Sequence, residues 1–483
     1  MEQVLDEQPA AKPSSNNAAG QQNGGDGPLR LREDIAKVKA VALQSAATAL
    51  ALQNNLVAAT DLVLKIDFKR YDADRHRDAA PGLMYEIFSF QQDLRDKIDQ
   101  WHASGLMGPQ NQRASRNLLR MTRYAADILG ELWIGFEQLD EGEGTYPAFT
   151  GAHHNTLVPA RFATGEHLPF KSGDVILVRG QAHNSAAIAR IGDIDSQFSH
   201  VAMVHIDREG KHWAVESLIE VGAVVEPLHD VLATGLGRAL CLRHRNPVLA
   251  KNAATIINDR VKHSLSPSGQ RILYDFTMRP DVGRNLFCSK LVRRAYKEAS
   301  AHEYILPTFP TQLSMRNRDF VDRIGVQTIE TFAPGDLEIE PEFDVVAEWQ
   351  DYRVTSSLRL QDMVMDKLFE WMETHNYRFH ESFKIRLISL LGRISSYFSN
   401  DIKEMLEELF PKIPPNMSRR AIAAIAMLHE TAQPLLEHLQ KAEQDSIRQT
   451  GLPLHPRDAY ILLEKKRESL GHEIGYLRIK DRR

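Results

Sequence analysis

The hydrophobic pattern of this chain changes period twice, and that limits the possible folds more than any other feature. From Leu29 to about Phe136 the spacing is helical. Met84, Ile87, Phe88 and Leu94 share one face of "GLMYEIFSFQQDLRDKIDQWH", and Leu118, Met121, Ala125 and Leu129 share one face of "SRNLLRMTRYAADILGELWIGF". Such stripes predict three or four antiparallel helices buried against each other. Near residue 172 the period falls towards two. "GDVILVRG" (173–180), "FSHVAMVHID" (198–207), "KHWAVESLIEV" (211–221) and "ALCLRHR" (239–245) are short β-rich runs, and "DREGK" reads as a hairpin loop. Helical patterns follow at 246–265 and from Cys288 onward. After about Trp349 helical spacing takes over, with Leu360, Met363, Val364, Leu368 and Trp371 in register and Ser418 as an N-cap before "RRAIAAIAMLHE". The order is helices, a mixed unit of roughly 180 residues, then helices.

Composition excludes several classes. The 483 residues carry 59 basic and 64 acidic side chains, a net charge of −5, which gives no reason to expect a nucleic-acid partner. Two cysteines make no disulfide framework, and no CxxC or HExxH spacing points to a metal, so neither metal nor cofactor is expected. Residues 1–28, rich in Gly, Asn, Gln, Ala and Ser, read as a disordered tail. The N-terminus lacks a basic start followed by an apolar run, and no long uncharged apolar stretch stands out as a membrane span. A cytoplasmic location is the expectation, with peripheral membrane contact left open.

Cys288 opens the helical pattern "CSKLVRRAY". Leu291, Val292, Ala295 and Tyr296 follow at helical spacing, so the cysteine reads either as the first residue of a buried stripe or as a nucleophile. A thiol at a helix N-terminus faces unpaired N–H groups and the positive end of the helix dipole, which favour thiolate. The same N–H groups can hold an oxyanion. Nineteen histidines make a base unremarkable, but His200 enters an apolar strand, where it is either a satisfied interior histidine or a working one. Glu216 lies on the next β-rich run amid Val215, Leu218 and Ile219. It reads either as a rim carboxylate or as the group that orients the imidazole.

Taken together, "GDVILVRG … FSHVAMV … AVES … YDFTM … FCSKLVRRAY" resembles the circularly permuted NlpC-type papain-like hydrolases, in particular the YiiX/YebB-like branch. The resemblance covers about residues 172–310 and implies an α+β fold. A circularly permuted papain-like domain, a small antiparallel sheet plus helices, would be flanked by N- and C-terminal α-helical regions. The expected division is 1–28 tail, 29–145 helical domain, 146–345 catalytic domain and 346–483 helical domain. It further implies Cys288 as nucleophile, His200 as base and Glu216 as orienting group, with Tyr274, Asp275 and Ser289 shaping the site. Asp275 also suits a turn cap.

The expected function is a thiol hydrolase, an amidase or peptidase, that cleaves an amide or ester through a Cys288 acyl-enzyme. One alternative is an acyltransferase or lipid acyl hydrolase like lecithin–retinol acyltransferase. Another is a helical scaffold with a retired papain-like core. The substrate is then a small molecule, a peptide or a lipid acyl group, and the helical flanks are open to a protein partner. Cys241 reads as a packing residue. His153, His154 and His183 lack ligand spacing. Arg284, Lys290, Arg293 and Arg294 read as a solvated face, and "EKKRESLGHEIGYLRIKDRR" as a charged helix end.

Overall fold

The computed structural model describes residues 27–66, 73–135, 147–149, 154–163, 168–190, 192–193, 195–233, 235–391 and 413–479. The tail expected over 1–28 falls outside these except for its last two residues, which open the first helix. The N-terminal helices are α1 (Gly27–Ala42), α2 (Ala49–Leu64), α3 (Ala73–Ala103) and α4 (Pro109–Ile134). The stretch between Asp34 and Ile66 divides in two because Thr48 caps α2, its hydroxyl accepting from the Ala51 N–H.

A seven-stranded antiparallel sheet follows: β1 (Thr156–Leu157), β2 (Val175–Gly180), β3 (His200–Ile206), β4 (His212–Leu218), β5 (Gly222–Pro227), β6 (Leu236–His244) and, late in the chain, a strand at Phe343–Gln350. That late strand sits between β1 and β6, and the order continues β6-β2-β3-β4-β5. Helices α5 (His183–Arg190), α6 (Leu228–Ala233), α7 (Pro247–Leu265), α8 (Cys288–Ala299) and α9 (Asp319–Ile324) complete the unit. The fold is α+β, an antiparallel sheet packed with helices and flanked by helical regions on either side in the chain.

Pleat alternation sorts the strand residues. Val175, Leu177, Val201, Met203 and Val215 join a core with α7 and α8, whereas Ile176, Val178, Ala202, Val204 and Ala214 join the core on the other face. The β3–β4 hairpin forms at "DREGK" because the Asp207 carboxylate accepts from the N–H groups of Glu209 and Lys211 and from Trp213 Nε1. The "GD" that opens β2 also has a structural reason. Gly173 has φ +95, and a Cβ there would lie 2.5 Å from the Ala250 backbone. Asp174 binds Arg243 through both oxygens, each at 2.7 Å.

The sequence reading missed β5 and the strand at Phe343–Gln350, which runs across the boundary expected at 345/346. After it come α10 (Tyr352–His375), α11 (Phe383–Leu391), α12 (Arg419–Thr450) and α13 (Pro456–Leu470). The expected charged helix end is wrong in part: α13 stops at Leu470, Gly471 has φ +66, and a short strand at Leu477–Ile479 pairs with one at Glu473–Ile474 on one side and one at Tyr377–Phe379 on the other.

The two helical regions share a core. α1–α4 pack in one cluster with α10, α12 and α13. Buried ion pairs key this layer to the sheet: Arg123 with Glu348 at 2.6 Å, Arg238 with Asp127 at 2.8 Å and Arg179 with Asp362 at 2.9 Å. Among the described residues no helix is long and apolar enough to cross a membrane.

Candidate active site

α8 is placed by its apolar stripe. Leu291, Val292, Ala295 and Tyr296 are buried against β3 and β4, and the Tyr296 hydroxyl donates to the Gly173 carbonyl at 3.2 Å. Just before it, Ser217 of β4 donates to the Leu286 carbonyl at 2.6 Å. Together these hold Cys288, the first residue of α8, against β3. The N-cap is Phe287, which offers no side-chain acceptor, so no cap side chain occupies the first-turn N–H groups.

His200 is the first residue of β3. The pairing Met203↔Val215 and Val204↔Ala214, continued towards the strand start, sets Glu216 opposite Ala202, on the same face as His200. The imidazole Nε2 donates to Glu216 Oε2 at 2.6 Å, with Glu216 buried and His200 21 % exposed. The ring also lies close enough to Cys288 for each group to shift the charge of the other. With Nε2 committed to Glu216, Nδ1 is the nitrogen left for the sulfur.

The charges follow from this geometry. Burial disfavours the imidazolium, but hydrogen bonds to Cys288 and Glu216 and the charges of both push His200 up to about 10. Burial also disfavours the Cys288 thiolate. It is outweighed by the hydrogen bond and charge of His200 and by the Val201 N–H, so the thiol lies below its ordinary value. A thiolate–imidazolium pair is the resting state these shifts favour. Cys241 behaves oppositely. It is fully buried in the second sheet core, and burial, then Asp174, drive its thiol well up.

The structure brings Tyr274 and Ser289 to the same place. Both line the cavity at Cys288, and Ser289 Oγ donates to the Phe332 carbonyl at 2.7 Å. Asp275 sits beside them in a different capacity. One oxygen caps a turn by accepting from the Thr277 N–H and hydroxyl, and the other takes Lys290 Nζ at 2.5 Å. The solvated-face reading therefore fails for Lys290, whose side chain is fully buried. Its neighbours are only partly exposed: Arg293 pairs with Asp281, Arg294 donates to the Gly283 carbonyl, and Arg284 donates to the carbonyls of Gln270 and Arg271.

The thiol opens on an apolar cavity of about 100 Å³. Phe287, Tyr274 and Phe276 line it, together with Phe320 from α9 and Ile425 and Leu428 from α12. No sequence signal connects α12, more than a hundred residues away, with this site; only the fold brings it there. Beside it His183 Nε2 donates to Gln433 Oε1 at 2.7 Å, and the His183 and His429 rings meet edge-on. His154 stacks edge-on with Trp133, and His153 lies outside the described residues. Among the described residues, no group of three or more His, Cys, Asp or Glu is placed to hold a metal ion.

Residues 169–346 match the model of a family described as permuted papain-like amidases, YaeF/YiiX, C92 family. The match contains every candidate residue named from the sequence and ends before α10. It supports hydrolase chemistry at the level of the family. No curated protein matches the chain.

Proposed function

We propose that this protein is a thiol hydrolase that cleaves an amide or ester bond through an acyl-enzyme on Cys288. The observation that carries this reading is the hydrogen bond from His200 to the buried Glu216, with Cys288 at the start of α8 beside the same imidazole, and the directions of the His200 and Cys288 shifts agree with it. The thiolate attacks the carbonyl carbon, and the oxyanion is received by uncapped N–H groups at the start of α8. Collapse breaks the bond to the leaving group, to which His200 passes its proton, leaving a thioester. Water then attacks, giving its proton to His200, and the acid departs as the thiolate reforms. Glu216 keeps the ring in the tautomer and orientation this requires.

The test is turnover of a panel of acyl amides, peptides and acyl esters by the wild type and by Cys288→Ala. A substrate turned over by the wild type alone supports the reading. Equal turnover by the variant ends it.

A second reading uses the same residues. The apolar cavity at the sulfur favours acyl transfer to an acceptor other than water, from a donor whose acyl group is small enough to enter it. Product analysis distinguishes the two: free acid marks hydrolysis, and an acylated amine or alcohol marks transfer. The scaffold reading would instead show Cys288 labelling no faster than Cys241.

A further inference from the structure

We infer that helix α12 selects the substrate: Ile425 and Leu428 close the apolar cavity at Cys288, so the group seated there is short and apolar. This rests on the thiol-hydrolase reading and adds the size and chemistry of the acyl portion. The wall comes from outside residues 169–346, so it is an addition of this chain rather than part of the matched domain.

Three observations support it. First, the cavity offers little polar surface that is not already engaged. The Ser289 hydroxyl donates to the Phe332 carbonyl, and the Thr331 hydroxyl donates to the Met278 carbonyl at 2.8 Å. A charged or strongly polar group entering there would lose its hydration without replacement. Second, the volume is about 100 Å³, below the roughly 150 Å³ of an apolar cavity that admits benzene. A short alkyl or small branched group fits; a long fatty chain does not. Third, α12 is fastened on both sides of the cavity. Met417, Ala421 and Ile422 pack with Phe276 and Ile219, and Asn416 Nδ2 donates to the Tyr274 carbonyl at 2.7 Å. Further along α12, Gln433 holds His183. The wall is therefore part of the packed structure and sets a fixed limit on length.

The experiment measures the rate at which alkyl methanethiosulfonates, from methyl to hexadecyl, modify Cys288 in the full chain. The thiolate bonds to the alkylthio sulfur and methanesulfinate leaves, so the readout needs no substrate and no turnover. Wild-type rates should rise over the first few carbons and fall for longer chains. Leu428→Ala and Ile425→Ala should move the optimum to longer chains, by about tenfold in relative rate for two added methylenes. Leu428→Met, which nearly conserves volume, should keep the wild-type profile. Ile425 is only half-buried, so its variant remains informative if Leu428→Ala folds poorly. Wild-type rates that climb steadily to hexadecyl, or an Ile425→Ala profile that superimposes on the wild type, would overturn the inference. Failure of the hydrolase reading appears separately, as loss of the turnover difference between wild type and Cys288→Ala.

Discussion

Exchanging Glu216 for Gln keeps the shape of the side chain and an oxygen that accepts from His200 Nε2, but removes the charge. In the folded protein His200 is held at about 10 against an ordinary 6.5. At 1.36 kcal/mol per pKa unit that is about 5 kcal/mol in favour of the imidazolium, net of the opposing burial. Cys288 and Glu216 share it, so removing the carboxylate charge should weaken the ion pair by about 2 kcal/mol. The sign is fixed by the direction of the His200 shift. The ring keeps its proton below the raised value, and without the carboxylate charge it should lose that proton about 1.5 pH units lower. The acid limb of Cys288 alkylation should stay in place, because there the ring is charged whether the thiol is ionised or not. Imidazole NMR of His200 across a pH titration measures the shift, and iodoacetamide labelling read at the Cys288 peptide by mass spectrometry measures the limb. Cys241, fully buried, supplies the unreactive control. A His200 that still holds its proton to about pH 10 in Glu216→Gln refutes the reasoning, because the buried carboxylate would then contribute nothing to the imidazolium.

Three further outcomes are expected. Lys290→Met leaves Asp275 buried without its cation and should cost about 3–5 kcal/mol in guanidinium unfolding, partly recovered by adding Asp275→Asn. Gly222→Ala should cost about 1–3 kcal/mol in the same measurement, since its φ is +77 and a Cβ there would meet the Ile272 carbonyl oxygen at 2.2 Å. Burial pushes the Glu340 carboxyl up to about 7, against opposing hydrogen bonds from Thr308. The folded value exceeds the unfolded one, so its stabilisation is complete below about 4.5, is lost as pH rises through about 7, and amounts to about 3 kcal/mol. Glu340→Gln should flatten that part of the stability–pH curve.

The candidate residues were legible because each announces itself locally. Cys288 heads an apolar helix stripe, and His200 and Glu216 interrupt apolar strands on adjacent runs. Period two exposed β2, β3, β4 and most of β6, and an N-cap rule placed the start of α12 at Ser418, whose hydroxyl accepts from the Ala421 N–H. β5 and the strand at Phe343–Gln350 were missed, the latter lying next to the start of α10, and the C-terminal strands are only two or three residues long. Lys290 was misread because its partner Asp275 is fifteen positions earlier and arrives through a turn, which no helical pattern reveals. The cavity wall is the extreme case. Ile425 and Leu428 look like ordinary core residues of a distant helix, and only long-range packing makes them neighbours of the thiol.

The resting charge state of the site is measurable without any substrate. Thiolate absorbance in the ultraviolet, taken as the difference between the wild type and Cys288→Ser across a pH titration, isolates the one sulfur. The expected result is a Cys288 thiolate that forms below the ordinary thiol range, with imidazole NMR of His200 showing a charged ring until about pH 10. A thiolate signal that emerges only above pH 9, with His200 neutral at pH 7, would contradict the ion pair and remove the basis for catalysis at Cys288.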